Sequence, residues 1–192
     1  MSLIFVRHGQ SASNVGASLA SIGENAAIPL TERGRAQAEA LPDELPVPGA
    51  IYCSTFLRAQ RTAQPYAQHH GRRAEVWAAL NEFDYLPFDL VRREPRRALF
   101  RHDLAYWQRA NPTERFGPES WADLQGRLDE FCARAATLPP ASVCFGHSLW
   151  FKALGWRLAG QNPNDMAGFG LWQRSQRVPN GSIHTVSLTT GV

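Results

Sequence analysis

Short apolar runs alternate along the chain with longer stretches in which apolar residues recur every three or four positions. Those two periods separate strands from amphipathic helices. Residues 2–6 (SLIFV) form a first strand that meets polar punctuation at Arg7. Thr31 precedes ERGRAQAEAL, predicting a helix with Thr31 as N-cap and with Ala36, Ala40 and Leu41 on one face. Residues 50–53 (AIYC) are a second strand, followed by a helix that starts near Ser54 or Thr55 and that Pro65 should kink or end. Residues 74–78 (AEVWA) are a third strand. Residues 83–118 are irregular with at least one helix near 98–109, and residues 120–137 are a long helix with Leu124, Leu128 and Phe131 at helical spacing. Pro139 and Pro140 stop it, residues 142–145 form a fourth strand, and residues 149–159 are helical. Residues 182–189 (SIHTVSLT) alternate like a strand.

Strands alternating with helices predict an α/β fold: three α/β/α layers with a mostly parallel central sheet. The expectation is one domain over residues 1–192, with a helical insertion at about 83–118 over the C-terminal edge of the strands. In such sheets ligands sit outside the carboxyl ends of the strands. After the first strand come Arg7, His8 and Gly9; after the second, Ser54 and then Arg58; after the third, Asn81 and Glu82; after the fourth, Gly146, His147 and Ser148. Two histidines, two arginines and a carboxylate therefore converge on one edge.

Composition adds little to this picture. The net charge is +3, and the basic residues are nineteen arginines and the single Lys152, which favours anionic ligands mildly. No basic helical stripe with interleaved aromatics argues for nucleic acid. Cys53, Cys132 and Cys144 are odd in number and lack metal-type spacing. No leader-like segment and no apolar run of membrane length is present, so a soluble cytoplasmic protein is expected, monomer or homodimer.

The chemistry of the converging set is that of a phosphate site. Guanidinium groups bind phosphate oxygens in pairs, and helix N-termini add backbone donors. A neutral imidazole can attack phosphorus and carry the phosphoryl group, while a carboxylic acid protonates the departing alkoxide.

The residues also resemble a known family. RHGQSASN resembles the R-H-G-x-[ST]-x-x-N signature of the histidine phosphatase superfamily, and PLTERGRAQAEAL, IYCSTFLRAQRTA, LNE, FGHS and NGSI follow in that family's order. The resemblance implies a metal-independent phosphatase without cofactors, acting on a small phosphorylated metabolite. It implies His8 as the nucleophile that becomes phosphohistidine, Arg7 and Arg58 as phosphate holders, and His147 bracing the transferring group. It further implies Asn14 in the phosphate pocket and Glu82 as proton donor, with Asp84 as fallback because FDYLPFD departs from the family's continuation after that glutamate. Ser148 stands where the family usually has glycine; it is expected to cap the following helix and to offer its N–H near the phosphate.

Other classes fit less well. Cys53 and Arg58 are one residue too close for a cysteine phosphatase loop, and Cys144 has Trp150 where the arginine should be. A serine hydrolase built on Ser148, Asp165 and His184 lacks the last glycine of the nucleophile elbow, which is Trp150 here. A mutase, or a phospho-ligand-binding member without turnover, are the remaining alternatives. Outside the set, His69, His70, His102 and His184 are expected to be structural. The basic run at residues 92–102 is expected to be a solvated helix start, and Phe83, Tyr85, Phe88, Tyr106 and Trp107 either line a pocket mouth or pack as core.

Overall fold

The computed structural model describes residues 2–109 and 111–188. Five strands form one sheet in the order β3-β2-β4-β1-β5. These are β1 (Ser2–Arg7), β2 (Ile51–Cys53), β3 (Glu75–Val76), β4 (Val143–Gly146) and β5 (Ile183–Ser187). All neighbours run parallel except β5, which pairs antiparallel with β1 at the edge. Among the described residues seven α-helices flank the sheet: α1 (Glu32–Glu44), α2 (Leu57–His69), α3 (Phe88–Arg93), α4 (Arg96–Gln108), α5 (Trp121–Ala135), α6 (Ser148–Leu158) and α7 (Met166–Ser175).

Strand residues alternate between faces, and here both faces are buried. Val6, Ile51, Cys53, Val143 and Phe145 pack with Leu41 of α1 and with Ala63, Tyr66 and Ala67 of α2. Leu3, Phe5, Tyr52, Cys144 and Val186 pack on the other side with α5, α6 and the aromatic cluster of the insertion. Cys53 and Cys144 are thus buried strand residues. No helix of the described residues is long and apolar enough to cross a membrane.

Several local expectations change. Thr31 does cap α1, accepting from Gly34 N at 3.1 Å. The buried stripe, however, is Gly34, Ala38 and Leu41, while Ala36 and Ala40 are exposed. Alanine is too weakly apolar to mark a face, so tertiary packing chose it. Pro65 does not end α2, which runs to His69. The backbone bond that proline forfeits would fall on the exposed Arg61 turn, whereas buried Tyr66 and Ala67 anchor the last turn. Tyr66 also donates its hydroxyl to Pro46 O at 2.6 Å.

The third strand is only two residues long. Trp77 leaves it to stack on Phe131 at 5.2 Å and donates its indole N–H to Glu130 at 3.1 Å. Helix α7 was not expected. Its two glycines hide it from propensity, yet Gly170 lets Trp107 lie against the helix, with a Cβ there falling 2.6 Å from that side chain. The last strand stops at Ser187, and Thr189 lies outside the described residues.

Within 83–118, Phe83, Tyr106 and Trp107 are buried core residues and Tyr85 packs against them. These four therefore hold the segment down as core, while Phe88, in α3, is partly buried outside the cluster. Its charge run is solvated as expected, with Arg93, Arg97 and Arg101 exposed and Arg92 paired to Asp89 at 2.6 Å.

Candidate active site

The sheet register creates the site. In the parallel β1–β4 pair Arg7 stands opposite Gly146, so the next residues, His8 and His147, leave adjacent strand ends side by side. His8 N donates to Gly146 O at 3.0 Å, and the two imidazole centroids lie 5.1 Å apart. Cys53 of β2 stands opposite Phe145, so Ser54 arrives beside His147; its Oγ is 2.7 Å from His147 Nε2.

A carbonyl partner fixes the proton of the His8 ring. His8 Nδ1 lies 2.7 Å from Gly9 O. A carbonyl only accepts, so Nδ1 carries the proton and the lone pair is on Nε2. Ser54 Oγ accepts from Phe56 N at 3.1 Å and keeps its hydroxyl proton available to donate to His147 Nε2. With that bond donated, the His147 proton sits on Nδ1, a buried atom with no partner among the described residues.

Both imidazoles are held neutral. Burial first, then the nearby Arg58 guanidinium, pushes each well below the ordinary histidine range. A histidine without a proton on Nε2 is the form that attacks an electrophile.

The two arginines come from different elements. Arg58, in the first turn of α2, is 4% exposed. Its Nη1 donates to Asn25 O at 2.8 Å, and its guanidinium lies 4.7 Å from the Phe56 ring centroid. Burial lowers its pKa to about 10, with Glu82 and Asp84 opposing the shift. Arg7 donates Nη1 to Val178 O, while its buried Nε has no partner among the described residues. Burial lowers its pKa too, against the pull of Glu82.

Glu82 sits at the start of α6. Its Oε1 accepts from Trp150 N at 2.9 Å and from Phe83 N at 3.1 Å, and its Oε2 accepts from Leu149 N at 3.3 Å. Asp84 accepts from Asn25 Nδ2 at 2.9 Å, and burial raises its pKa. Asn25 thus links this carboxyl to Arg58.

Comparison with known proteins matches this arrangement to one family. The model of the histidine phosphatase superfamily, branch 1, covers residues 3–191. The chain belongs to that superfamily. No match was found among curated proteins. Among solved structures, a putative alpha-ribazole-5'-P phosphatase from Escherichia coli is similar at TM-score 0.73 and 22% identity, covering 99% of this chain and 91% of the other. A mycobacterial glucosyl-3-phosphoglycerate phosphatase gives TM-score 0.67 and 24% identity, with 97% and 90% covered. A phosphoserine phosphatase mutant from Entamoeba histolytica gives 0.70 and 21%, with 99% and 92% covered. At these identities the likeness establishes the fold.

Within the histidine phosphatase frame, two of the residues expected at this edge sit differently from expectation. Ser148 is the first residue of α6 and not its cap; His147 is the N-cap position without a side-chain bond, and Glu82 satisfies the next N–H groups. Asn14 Oδ1 accepts from Ser11 N at 3.0 Å, Ser11 Oγ at 2.9 Å and Asn180 Nδ2 at 2.9 Å. It ties the short helical turn Ala12–Val15 to the loop before β5.

Gly9 permits a close approach of protein backbone. A Cβ there would lie 2.4 Å from Gly34 O, and a Cβ on Gly34 would lie 2.0 Å from Gln10 O. The loop after His8 and the start of α1 are pressed backbone to backbone.

Sequence reasoning passed over the supporting residues Ser54, Thr62, Asn25 and Asn180. Thr62 Oγ1 accepts from Gly9 N at 3.0 Å and donates to Arg58 O at 2.7 Å. Asn180 Nδ2 donates to His8 O at 3.1 Å. Its signal was its place in NGSI; Ser54 stands just past a strand and Thr62 on the buried side of α2, while Asn25, in the short turn Asn25–Ala27, carried no local signal.

The serine-hydrolase alternative finds no triad. Asp165 caps α7 by accepting from Gly168 N at 2.8 Å, and His184 pairs with Ser182 Oγ at 2.8 Å on the sheet edge. Among the described residues no three His, Cys, Asp or Glu side chains gather as a metal site requires.

Proposed function

We propose that the chain is a phosphomonoesterase that works through a phosphohistidine on His8. Membership in a phosphatase superfamily makes phosphoric monoester hydrolysis the reaction class. The single observation that carries the mechanism is the bond between His8 Nδ1 and Gly9 O, which leaves the Nε2 lone pair as the nucleophile beside two arginines.

His8 Nε2 attacks phosphorus as the ester P–O bond breaks. The leaving alkoxide takes a proton from Glu82, with Asp84 second in line. Water then attacks phosphorus, the P–N bond breaks, and the carboxylate takes the water's proton. Inorganic phosphate leaves and His8 is restored, so atoms and charge balance. Arg58, Arg7 Nε and His147 Nδ1 bear on the phosphate, and the latter two are buried donors that a dianion supplies with acceptors. In this proposal Ser148 offers its N–H to the same phosphate, and Asn14 supports the loop around it through its bonds to Ser11 and Asn180. Three solved structures of this fold carry phosphatase in their names, which favours water over a second sugar or acid as acceptor. The substrate is a small phosphorylated metabolite, and the reaction needs no metal or cofactor.

The test is p-nitrophenyl phosphate turnover in EDTA by wild type, His8→Ala and Ser148→Ala. The expected result is loss with His8→Ala, retention with Ser148→Ala, and an acid-labile phosphoenzyme trapped from wild type. Turnover that survives His8→Ala and disappears with Ser148→Ala sinks the proposal.

A further inference from the structure

The chain carries twenty lysines and arginines, of which Lys152 is the one lysine. It lies on α6, four residues after Ser148. Residues four apart share a helix face, so Lys152 stands about 6 Å along the axis from the end that forms the site. Its Nζ is held only by neutral oxygens: it donates to Gln173 O at 2.8 Å and to Gln173 Oε1 at 3.2 Å. Gln173 is in the last turn of α7, and the chain beyond it supplies Val178 O to Arg7 and Asn180 to His8. Lys152 is therefore fastened to the segment that closes one side of the site.

Its half-buried charge is close enough to feel Glu82, Arg7 and Asp103. The two carboxylates nearby are already supplied with donors. Asp103 accepts from Tyr85 Oη at 2.6 Å and Trp107 Nε1 at 2.8 Å, and pairs with Arg174 at 2.7 Å. Glu82 holds three backbone N–H groups. Arg127, by contrast, is a cation fully spent on structure, gripped by both oxygens of Glu119 at 2.6 and 2.8 Å. Among the described residues Lys152 makes no ion pair. An ammonium has three N–H donors, and a charge withdrawn from water is favoured only where an opposite charge meets it.

We propose that Lys152 is a substrate-specificity residue, pairing with an anionic substituent, a carboxylate or a second phosphate, on the alcohol half of the phosphomonoester. This rests on the phosphatase reading above. Arg7, Arg58 and the histidines serve the transferring phosphoryl group, and Lys152 meets what is attached to it.

The experiment compares kcat/KM on 3-phosphoglycerate (a carboxylate), fructose 1,6-bisphosphate (a second phosphate) and glycerol 2-phosphate (a neutral alcohol). The enzymes are wild type, Lys152→Met and Lys152→Arg. Wild type should prefer one of the two anionic substrates. Lys152→Met should lose about tenfold or more on it while keeping its rate on glycerol 2-phosphate, and Lys152→Arg should restore part of the preference. Equal losses on all three substrates, or no loss on the anionic one, overturn the inference. Should Lys152→Met not fold, salt serves on wild type: the anionic-to-neutral ratio must fall as ionic strength rises, and a flat ratio overturns it. Turnover of glycerol 2-phosphate with no preference for either anion overturns this inference alone. A wild type inert on every phosphomonoester overturns the phosphatase reading and this inference with it.

Discussion

Gly34→Ala sets helix propensity against packing, and the two predict opposite signs. Gly34 lies in the first turn of α1, where alanine should gain up to about 1 kcal/mol. The new Cβ would lie 2.0 Å from Gln10 O and 2.9 Å from Gln10 N. A comfortable carbon–oxygen contact is about 3.3 Å, so the backbones must separate by roughly 1.3 Å at that point. Gln10 cannot easily yield. Its carbonyl accepts from Thr31 N at 2.9 Å and its own N–H donates to Gln37 at 2.8 Å. Overpacking of this kind costs about 1–3 kcal/mol; at about 2 kcal/mol it exceeds the propensity gain and leaves a net loss of about 1 kcal/mol, rising to about 2 at the upper end.

For a chain of this length that lowers Tm by roughly 2–8 °C. The strain also falls two residues from His8, where about 1 Å of misplacement costs on the order of a hundredfold in kcat. The paired control is Gly126→Ala in α5, where nothing lies within 4 Å of the new Cβ. It should raise Tm slightly and leave turnover alone. Calorimetry with p-nitrophenyl phosphate kinetics on both variants decides the matter. Gly34→Ala at or above wild-type Tm with kcat intact would refute the account of the loop as wedged.

Three further outcomes follow from the site. Ser54→Ala removes the partner of His147 Nε2 and should cost about 1–3 kcal/mol in urea unfolding and roughly tenfold or more in kcat; an unchanged kcat counts against His147 as an oriented donor. Glu82→Gln should slow alkyl phosphates by about a hundredfold or more while sparing p-nitrophenyl phosphate, whose leaving group needs no proton; if Asp84→Asn gives that pattern instead, the acid is Asp84. Stability should be full above about pH 6.5 and fall as the pH drops from there toward the depressed native values, because the unfolded chain takes up the protons that buried His8 and His147 refuse. Each histidine contributes a slope of at most about 1.4 kcal/mol per pH unit, and a urea midpoint independent of pH between 7.5 and 5.5 contradicts the burial argument.

The prospective site was legible in the sequence because Arg7, His8 and His147 end or directly follow a strand and Arg58 opens a helix, whereas Glu82 follows the short helical turn Ala78–Leu80 that comes after β3. A short apolar run ending in Arg7-His8-Gly9 or in Gly146-His147 says where the chain leaves the sheet, whatever the strand order. Strands β1, β2 and β4 were equally plain, since both faces of the parallel sheet are buried there and the runs are almost wholly apolar. Weaker local signals misled. Ala36 and Ala40 carry too little apolar surface to identify the buried side of α1, and the glycines of α7 disguised a helix that exists because Trp107 needs Gly170 flat against it.

Period, punctuation and motif order therefore determined the α/β class and the residues at its carboxyl edge, because those depend on local chain preferences. Only the tertiary structure decided how they work together. The register that sets Arg7 opposite Gly146 brings the two histidines within 5.1 Å, the Gly9 carbonyl leaves the His8 lone pair on Nε2, and burial keeps both rings neutral. It also gave Glu82 the N-terminus of α6 and Lys152 a place held by neutral oxygens. Those facts arise from groups far apart in the chain and from exclusion of water, neither of which a local pattern encodes.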